Sequence, residues 1–567
     1  MSDEVYAFPH APSPEAMEWA GTPIGAGNRI TRTKTRTAVH DKSVDEKPGL
    51  RDALVNAAVN HLTRQAGHDD VYRHDVVIHG VRVRATTNSL HLYDFWVDNW
   101  YSPEEWKTIT GLTPPRDPQV TVYALGGVSD QQEAAYYSRQ TSTIVFFNTA
   151  YYGQLKSWVL GAVGRVLAED YGIHSVHGAC VEKDGKGVLY IAPTGTGKST
   201  SSYGLVTFPN TRFHSDDWVY VRYTYATAAG TRLHPMRITP RDGQEIKGFR
   251  VFRWLAEHGG AHGDASVTGL DLSNRELTVP VADLDLSVRP VAYAFTSEKI
   301  FYLRTNLVEN FPLSAAQMLR SKMENVPDLT PRYQKEHGEM LDDLLAAIRA
   351  EGGEVTEYFA GISPEDVKVL LGRMIAFDNA RAMLDITMVL PADRVYSNPM
   401  EPARLASVIL LKRDRDDRAV VEHLKLDAFI GRLLIGETPD KKREVAYNAY
   451  RAVDDEQERA YLKRLEADAA RRGNGDAPAA LFAAYDGRAD APESLAEEFE
   501  LFRVMYEAAR TYGLNTILTA DPQVKDKKEA VGLTMDLIAR LVDDEPSPLR
   551  LTLSDYRSLL PASARAE

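Results

Sequence analysis

The sequence predicts an α/β protein organised around a phosphate-binding loop, and three observations carry that prediction. Residues 187–191 form an apolar, strand-like run that enters the small-residue loop Ala192-Pro193-Thr194-Gly195-Thr196-Gly197 and leaves it through Lys198, Ser199 and Thr200 into a helix-like segment. Strand, small-residue loop and helix in that order are the setting a phosphate-binding loop requires. Upstream, 173–192 reads as a hairpin turning at Lys183-Asp184-Gly185-Lys186, and downstream 218–223 reads as a further strand. The length, 567 residues, exceeds one ordinary core, so two or three domains are expected.

Composition narrows the class. Hydrophobic residues make up 44% and charged residues 26% of the chain, the balance of a globular protein. A formal charge of −14 argues against a nucleic-acid surface. The single cysteine, Cys180, excludes an internal disulfide framework and a zinc site of the finger type. No apolar run reaches membrane-spanning length, and the polar stretch 1–10 lacks the pattern of a secretory signal. A cytoplasmic protein without a membrane partner is expected.

Taken in order, residues 1–48 are rich in Pro, Gly, Thr and charge and read as a mobile arm, or as an arm that holds a substrate or partner. A domain of α/β type is expected over 49–150. Its signals are a helical pattern at 50–65, strand-like runs at 76–85, 120–123 and 143–147, and a cluster of Trp96, Trp100 and Trp106 that reads as core. Residues 151–169 read as an amphipathic helix and open the domain that holds the phosphate-binding loop, expected over 151–567. Between about 251 and 406 lies a long insertion with strand-like runs at 299–303 and 383–389 and helical patterns at 313–323 and 341–349; Arg304 could face an acceptor there. Beyond it, 408–412 reads as a strand and 424–435 as a helix. Residues 468–492 read as a surface linker with room for one helix, 495–512 as an amphipathic helix, 514–518 as a closing strand and 530–541 as a last helix.

The loop chemistry follows from residue size and charge. Backbone N–H groups must close around a phosphate, and a side chain at Gly195 or Gly197 would block that approach. Thr194, Gly195, Thr196, Gly197, Lys198, Ser199 and Thr200 are therefore the candidate nucleotide-binding residues. The helix N-terminus adds a positive dipole end, Lys198 a point charge, and Ser199 a ligand for Mg²⁺. Ala192 stands at the first position, where Gly is more usual. Asp216 and Asp217 come soon afterwards at the start of an apolar strand, where burying two carboxylates calls for a cation. They are candidates for catalysis and metal binding.

His177-Gly178 on the hairpin, the phosphate loop, and Asp216-Asp217 after it resemble the HPr kinase/phosphorylase group and its phosphoenolpyruvate carboxykinase-like relatives. The resemblance spans 170–250 and 405–455, less than a quarter of the chain. It implies a P-loop kinase core, enlarged here by the N-terminal α/β domain and the insertion. It also implies that one Asp accepts the proton of an acceptor hydroxyl, that its neighbour, taken as Asp217, helps hold Mg²⁺, and that His177 sits beside them. Glu245-Ile246-Lys247-Gly248-Phe249-Arg250 is similar to a degraded form of the family's Glu-x-Arg-Gly-x-Gly signature, which makes Glu245 a metal candidate. The segment from Gly436 to Arg451 is similar to the family's C-terminal Pro-Gly-Arg-Asn loop and the helix after it. Cations at a helix N-terminus oppose its dipole, so Lys441, Lys442 and Arg443 suit phosphate contact, with Arg443 the catalytic candidate.

These parts assemble into phosphoryl transfer. The expected protein is a kinase using ATP and Mg²⁺ on a hydroxyl of a small metabolite. A protein serine is the alternative acceptor, and an ATP-hydrolysing switch is the alternative from another class. The base of the nucleotide and the oligomeric state are left open.

Overall fold

The structure, a computed structural model, describes residues 29–31, 41–65, 71–303, 361–368, 381–384, 390–437, 443–444, 456–472, 477–543 and 550–560, with helical positions 342, 345–346 and 350, less 46, 133, 149–151, 193–195, 242, 259–263, 297, 300, 435 and 487–489. It is of α/β type. Among the described residues no helix is long and apolar enough to cross a membrane.

The N-terminal part is a six-stranded sheet in the order Asp41–Ser43, Ala134–Ser138, Thr143–Phe147, Val120–Leu125, Val81–Thr87, Tyr72–Ile78. The strand Val81–Thr87 explains itself. Val81, Val83 and Ala85 face the core while Arg82, Arg84 and Thr86 alternate outward, the period of a strand with one covered face. The run expected as one strand at 76–85 is two, because His79 and Gly80 both have positive φ (46° and 85°) and form the two-residue turn of a hairpin. The helix Leu50–Gln65 packs Leu54 and Ala58 against Val145 and Phe147 of this sheet. Trp96, Trp100 and Trp106 are all buried.

The helix Tyr152–Val166, extended by a π-helical turn Leu167–Tyr171, lies between this sheet and a second one. The second sheet has 14 strands. Its centre runs Trp218–Thr227, His174–Lys183, Lys186–Ile191, Ala403–Lys412, Arg510–Asn515, Ala419–His423. Lys186–Ile191, Ala403–Lys412 and Arg510–Asn515 are mutually parallel, and the rest of that path is antiparallel. Strands Ser266–Asp271, Glu276–Pro280 and Val291–Phe295, from the stretch expected as an insertion, belong to the same sheet.

Other expectations are adjusted. The helix expected over 495–512 is Glu493–Ala508; Tyr512 belongs to the strand Arg510–Asn515, where it is buried. The expected linker holds the last turn of the helix Glu456–Arg472 and one helix of its own, Ala477–Tyr485, because its alanines are helix formers, and Ala480 and Ala484 are buried in one cluster with Phe429 and Leu433. The two outer strands of the insertion are Phe301–Leu303 and Arg381–Leu384, which pair with each other. Arg304 and the helical pattern at 313–323 lie outside the described residues.

Candidate active site

The strand His174–Lys183 carries the site. One edge pairs with Lys186–Ile191, which delivers the chain to the phosphate loop. The other edge pairs with two strands laid end to end: Thr211–Ser215 beside its last residues, Trp218–Thr227 beside its first. Asp216 and Asp217 are the bend between those two. A bulge at His214, where Phe213 faces Val181 and Ser215 faces Cys180, re-aims the side chains that follow. The Gly178 N–H donates to the Asp217 carbonyl over 3.1 Å. A Cβ at Gly178 would lie 2.8 Å from the Tyr190 carbonyl oxygen, so a glycine is needed where these strands meet.

Five acidic or basic side chains and one imidazole converge on this bend. His177 Nε2 lies 3.2 Å from Asp217 Oδ1 and 3.0 Å from Lys198 Nζ. Lys198 Nζ is 3.7 Å from the same carboxylate oxygen. On the other side, Lys156 Nζ bridges Asp217 Oδ2 at 3.2 Å and Glu298 Oε1 at 2.9 Å. His177, Lys156, Asp216 and Glu298 are buried. The single nitrogen Nε2 of His177 either accepts from Lys198 or donates to Asp217, so its tautomer follows where Lys198 points.

Burial drives the proton affinities. Burial, then the like charges of Asp217 and Glu298, push the Asp216 carboxyl up to about 7, against the pull of Lys156 and Lys198. Glu298 is raised by burial and by Asp217, with Lys156 and Lys198 opposing. Burial disfavours the Lys156 ammonium, but Glu298 and Asp217 outweigh it and hold that ammonium more firmly protonated than usual.

The described end of the loop, Thr196 and Gly197, leads directly into a helix. Gly197 stands at the helix N-cap with φ +106°, a conformation that favours glycine. Among the described residues no side chain caps the helix Lys198–Leu205, whose first hydrogen bond runs from the Ser201 N–H to the Gly197 carbonyl. The N-terminus of such a helix, with its positive dipole end, is where an anion is favoured. From the neighbouring strands, Arg413 Nε donates to Thr516 Oγ1 over 3.2 Å and Thr516 Oγ1 donates to the Thr196 carbonyl over 3.1 Å. A Cβ built at Gly197 would lie 3.8 Å from an Arg413 guanidinium nitrogen, so this cation flanks the loop.

Of the residues expected from sequence, His177, Lys198, Asp216, Asp217, Thr196 and Gly197 come together here. Thr194 and Gly195 lie outside the described residues. Ser199 and Thr200 are in the first helical turn, with side chains outside the description. Glu245 is exposed, next to Lys247, which pairs with Asp170. Gly248 has a structural reason of its own: a Cβ there would fall 2.1 Å from the Glu169 carbonyl oxygen. Arg443 pairs through its backbone with Glu437 in a two-residue hairpin strand, where a helix start was expected; Lys441 and Lys442 lie outside the described residues.

Lys156, Glu298 and Arg413 were not anticipated. Lys156 was visible as one of two cations, with Arg165, within the apolar pattern of 151–169. Arg413 ends the run 408–412 at the carboxyl end of a parallel strand, where ligands of open α/β sheets gather. Glu298 follows a short strand without any motif. Among the described residues no group of three or more His, Cys, Asp or Glu side chains gathers into a metal cage. Mg²⁺ requires none, since it is commonly held by one or two carboxylates together with substrate phosphates and water. No protein-family model matches the chain, and no curated protein matches it.

Proposed function

We propose that the chain is an ATP-dependent kinase that transfers the γ-phosphoryl group to a hydroxyl of a small molecule; the order of its sequence motifs resembles that of the HPr kinase and carboxykinase-like group. The observation that carries this reading is the convergence of Lys198, at the start of the loop helix, with His177, Asp217 and the buried Asp216. Lys198, Arg413 and the helix N-terminus meet the polyphosphate and offset charge as it moves to the leaving group. Asp217 and, by its position in the motif, Ser199 would hold Mg²⁺, which supplies charge neutralisation across the β- and γ-phosphates.

Asp216 takes the acceptor proton. Its proton affinity lies near neutrality, where a general base works best. The acceptor oxygen bonds to the γ-phosphorus, the bond from that phosphorus to the β–γ bridging oxygen breaks, and the hydroxyl proton moves to Asp216. Asp217 is clamped beside it by Lys156 and His177. The two aspartates thereby divide base and metal duties. Bound polyphosphate would draw Lys198 away from His177, freeing the imidazole to donate to Asp217.

The test incubates the protein with γ-labelled ATP and a cell extract separated into protein and metabolite fractions. Label in a small molecule is expected. Label in a protein band would favour the serine acceptor, and label only in free phosphate, at a rate independent of extract, would favour the switch.

A further inference from the structure

The three parallel strands that end at the phosphate loop also share a beginning. Lys186–Ile191, Ala403–Lys412 and Arg510–Asn515 start side by side, with Leu405 paired to Gly187 and Ser407 to Arg510. At that end the surface opens into a cleft of about 440 Å³. Lys186, Arg289, Arg404, His423 and Arg510 line it, and Glu507 is the one carboxylate in its wall. In a chain of net charge −14 this is a local reversal of sign. Val291, Leu405 and Tyr506 supply apolar wall between the cations. A cavity of this size matches a metabolite rather than a polymer. Guanidinium forks on several sides match the oxygens of phosphate groups, which they can bind bidentately.

The cleft is distinct from the candidate active site. Strands of six residues at ~3.3 Å each put the two ends about 20 Å apart, and the loop lies at the other end. We propose that the cleft binds a small phosphorylated metabolite at a second site, separate from the nucleotide. This inference stands without the kinase reading.

Inorganic pyrophosphate is the probe, followed by titration calorimetry at low ionic strength on the full chain. Lys198→Ala weakens the phosphate loop as a competing site, so that variant is the background. One equivalent is expected to bind to it, and adding Arg289→Ala and Arg404→Ala is expected to weaken that binding at least tenfold. Both arginines are exposed, so the melting temperature should stay within a degree or two of the background, read in parallel. Absence of pyrophosphate binding to the Lys198→Ala protein, or equal affinity with and without the two arginines, would overturn the proposal.

Discussion

Asp216 shares its surroundings with two carboxylates, Asp217 and Glu298, and two ammonium groups, Lys156 and Lys198, so near charges decide how readily it holds a proton. As a base it must be ionised, and turnover is expected to rise with pH through a midpoint near 7. Glu298→Gln removes a negative neighbour and should move that limb to lower pH. Lys156→Met removes a positive one and should move it to higher pH. Rate profiles of both variants check the pair, and shifts in the same direction would contradict the assignment. Stability runs the other way. The folded Asp216 pKa is raised above its ordinary 3.8, so the fold favours the neutral form; that contribution is present in acid and lost as pH rises through about 7. Asp216→Asn should therefore melt at a higher temperature than wild type at pH 8, a gain in stability at the expense of turnover.

At the scale of elements, the site is a property of one strand and its neighbours. Gly178 lets the hairpin close on Tyr190 while its N–H anchors the Asp217 carbonyl. Gly178→Ala must push against a backbone oxygen, so a loss of about 1–3 kcal/mol in denaturant melts is expected, with turnover falling more steeply than nucleotide affinity. Unchanged stability would mean that the strands give way freely. The hairpin, the loop and the aspartate pair were legible in sequence because each is local: a turn, a run of small residues, two acids before an apolar strand. Glu298 was not, because it reaches Lys156 from about 140 residues away in sequence, brought there by the pairing of Val291–Phe295 with Trp218–Thr227. The helix Glu493–Ala508 and strand Arg510–Asn515 blurred into one pattern because apolar residues continue across their junction, and only the parallel pairing with Ala403–Lys412 separates them.

At the scale of the whole molecule, the N-terminal sheet and the site share one core. Val83, Val122 and Phe146 belong to the same apolar cluster as Trp158 and Val159 of the helix Tyr152–Val166 and as Trp218, Tyr220 and Phe295 beside the aspartates. Phe146 meets Trp158 edge-on, with ring centroids 5.4 Å apart. Phe146→Ala should cost about 3–5 kcal/mol and lower the melting of both sheets together. Calorimetry resolving a separate N-terminal transition, lowered alone, would contradict a common core. The core in turn fixes the helix that carries Lys156, and through Lys156 the Asp217 carboxylate beside Asp216. The most direct measurement is label transfer from γ-labelled ATP to the extract fraction by wild type and by Asp216→Asn, with nucleotide affinity measured on the same preparations. The account predicts affinities alike within about a factor of two and transfer reduced by roughly 10²–10⁴ in the variant. Transfer by Asp216→Asn at the wild-type rate, at equal nucleotide affinity, would contradict it.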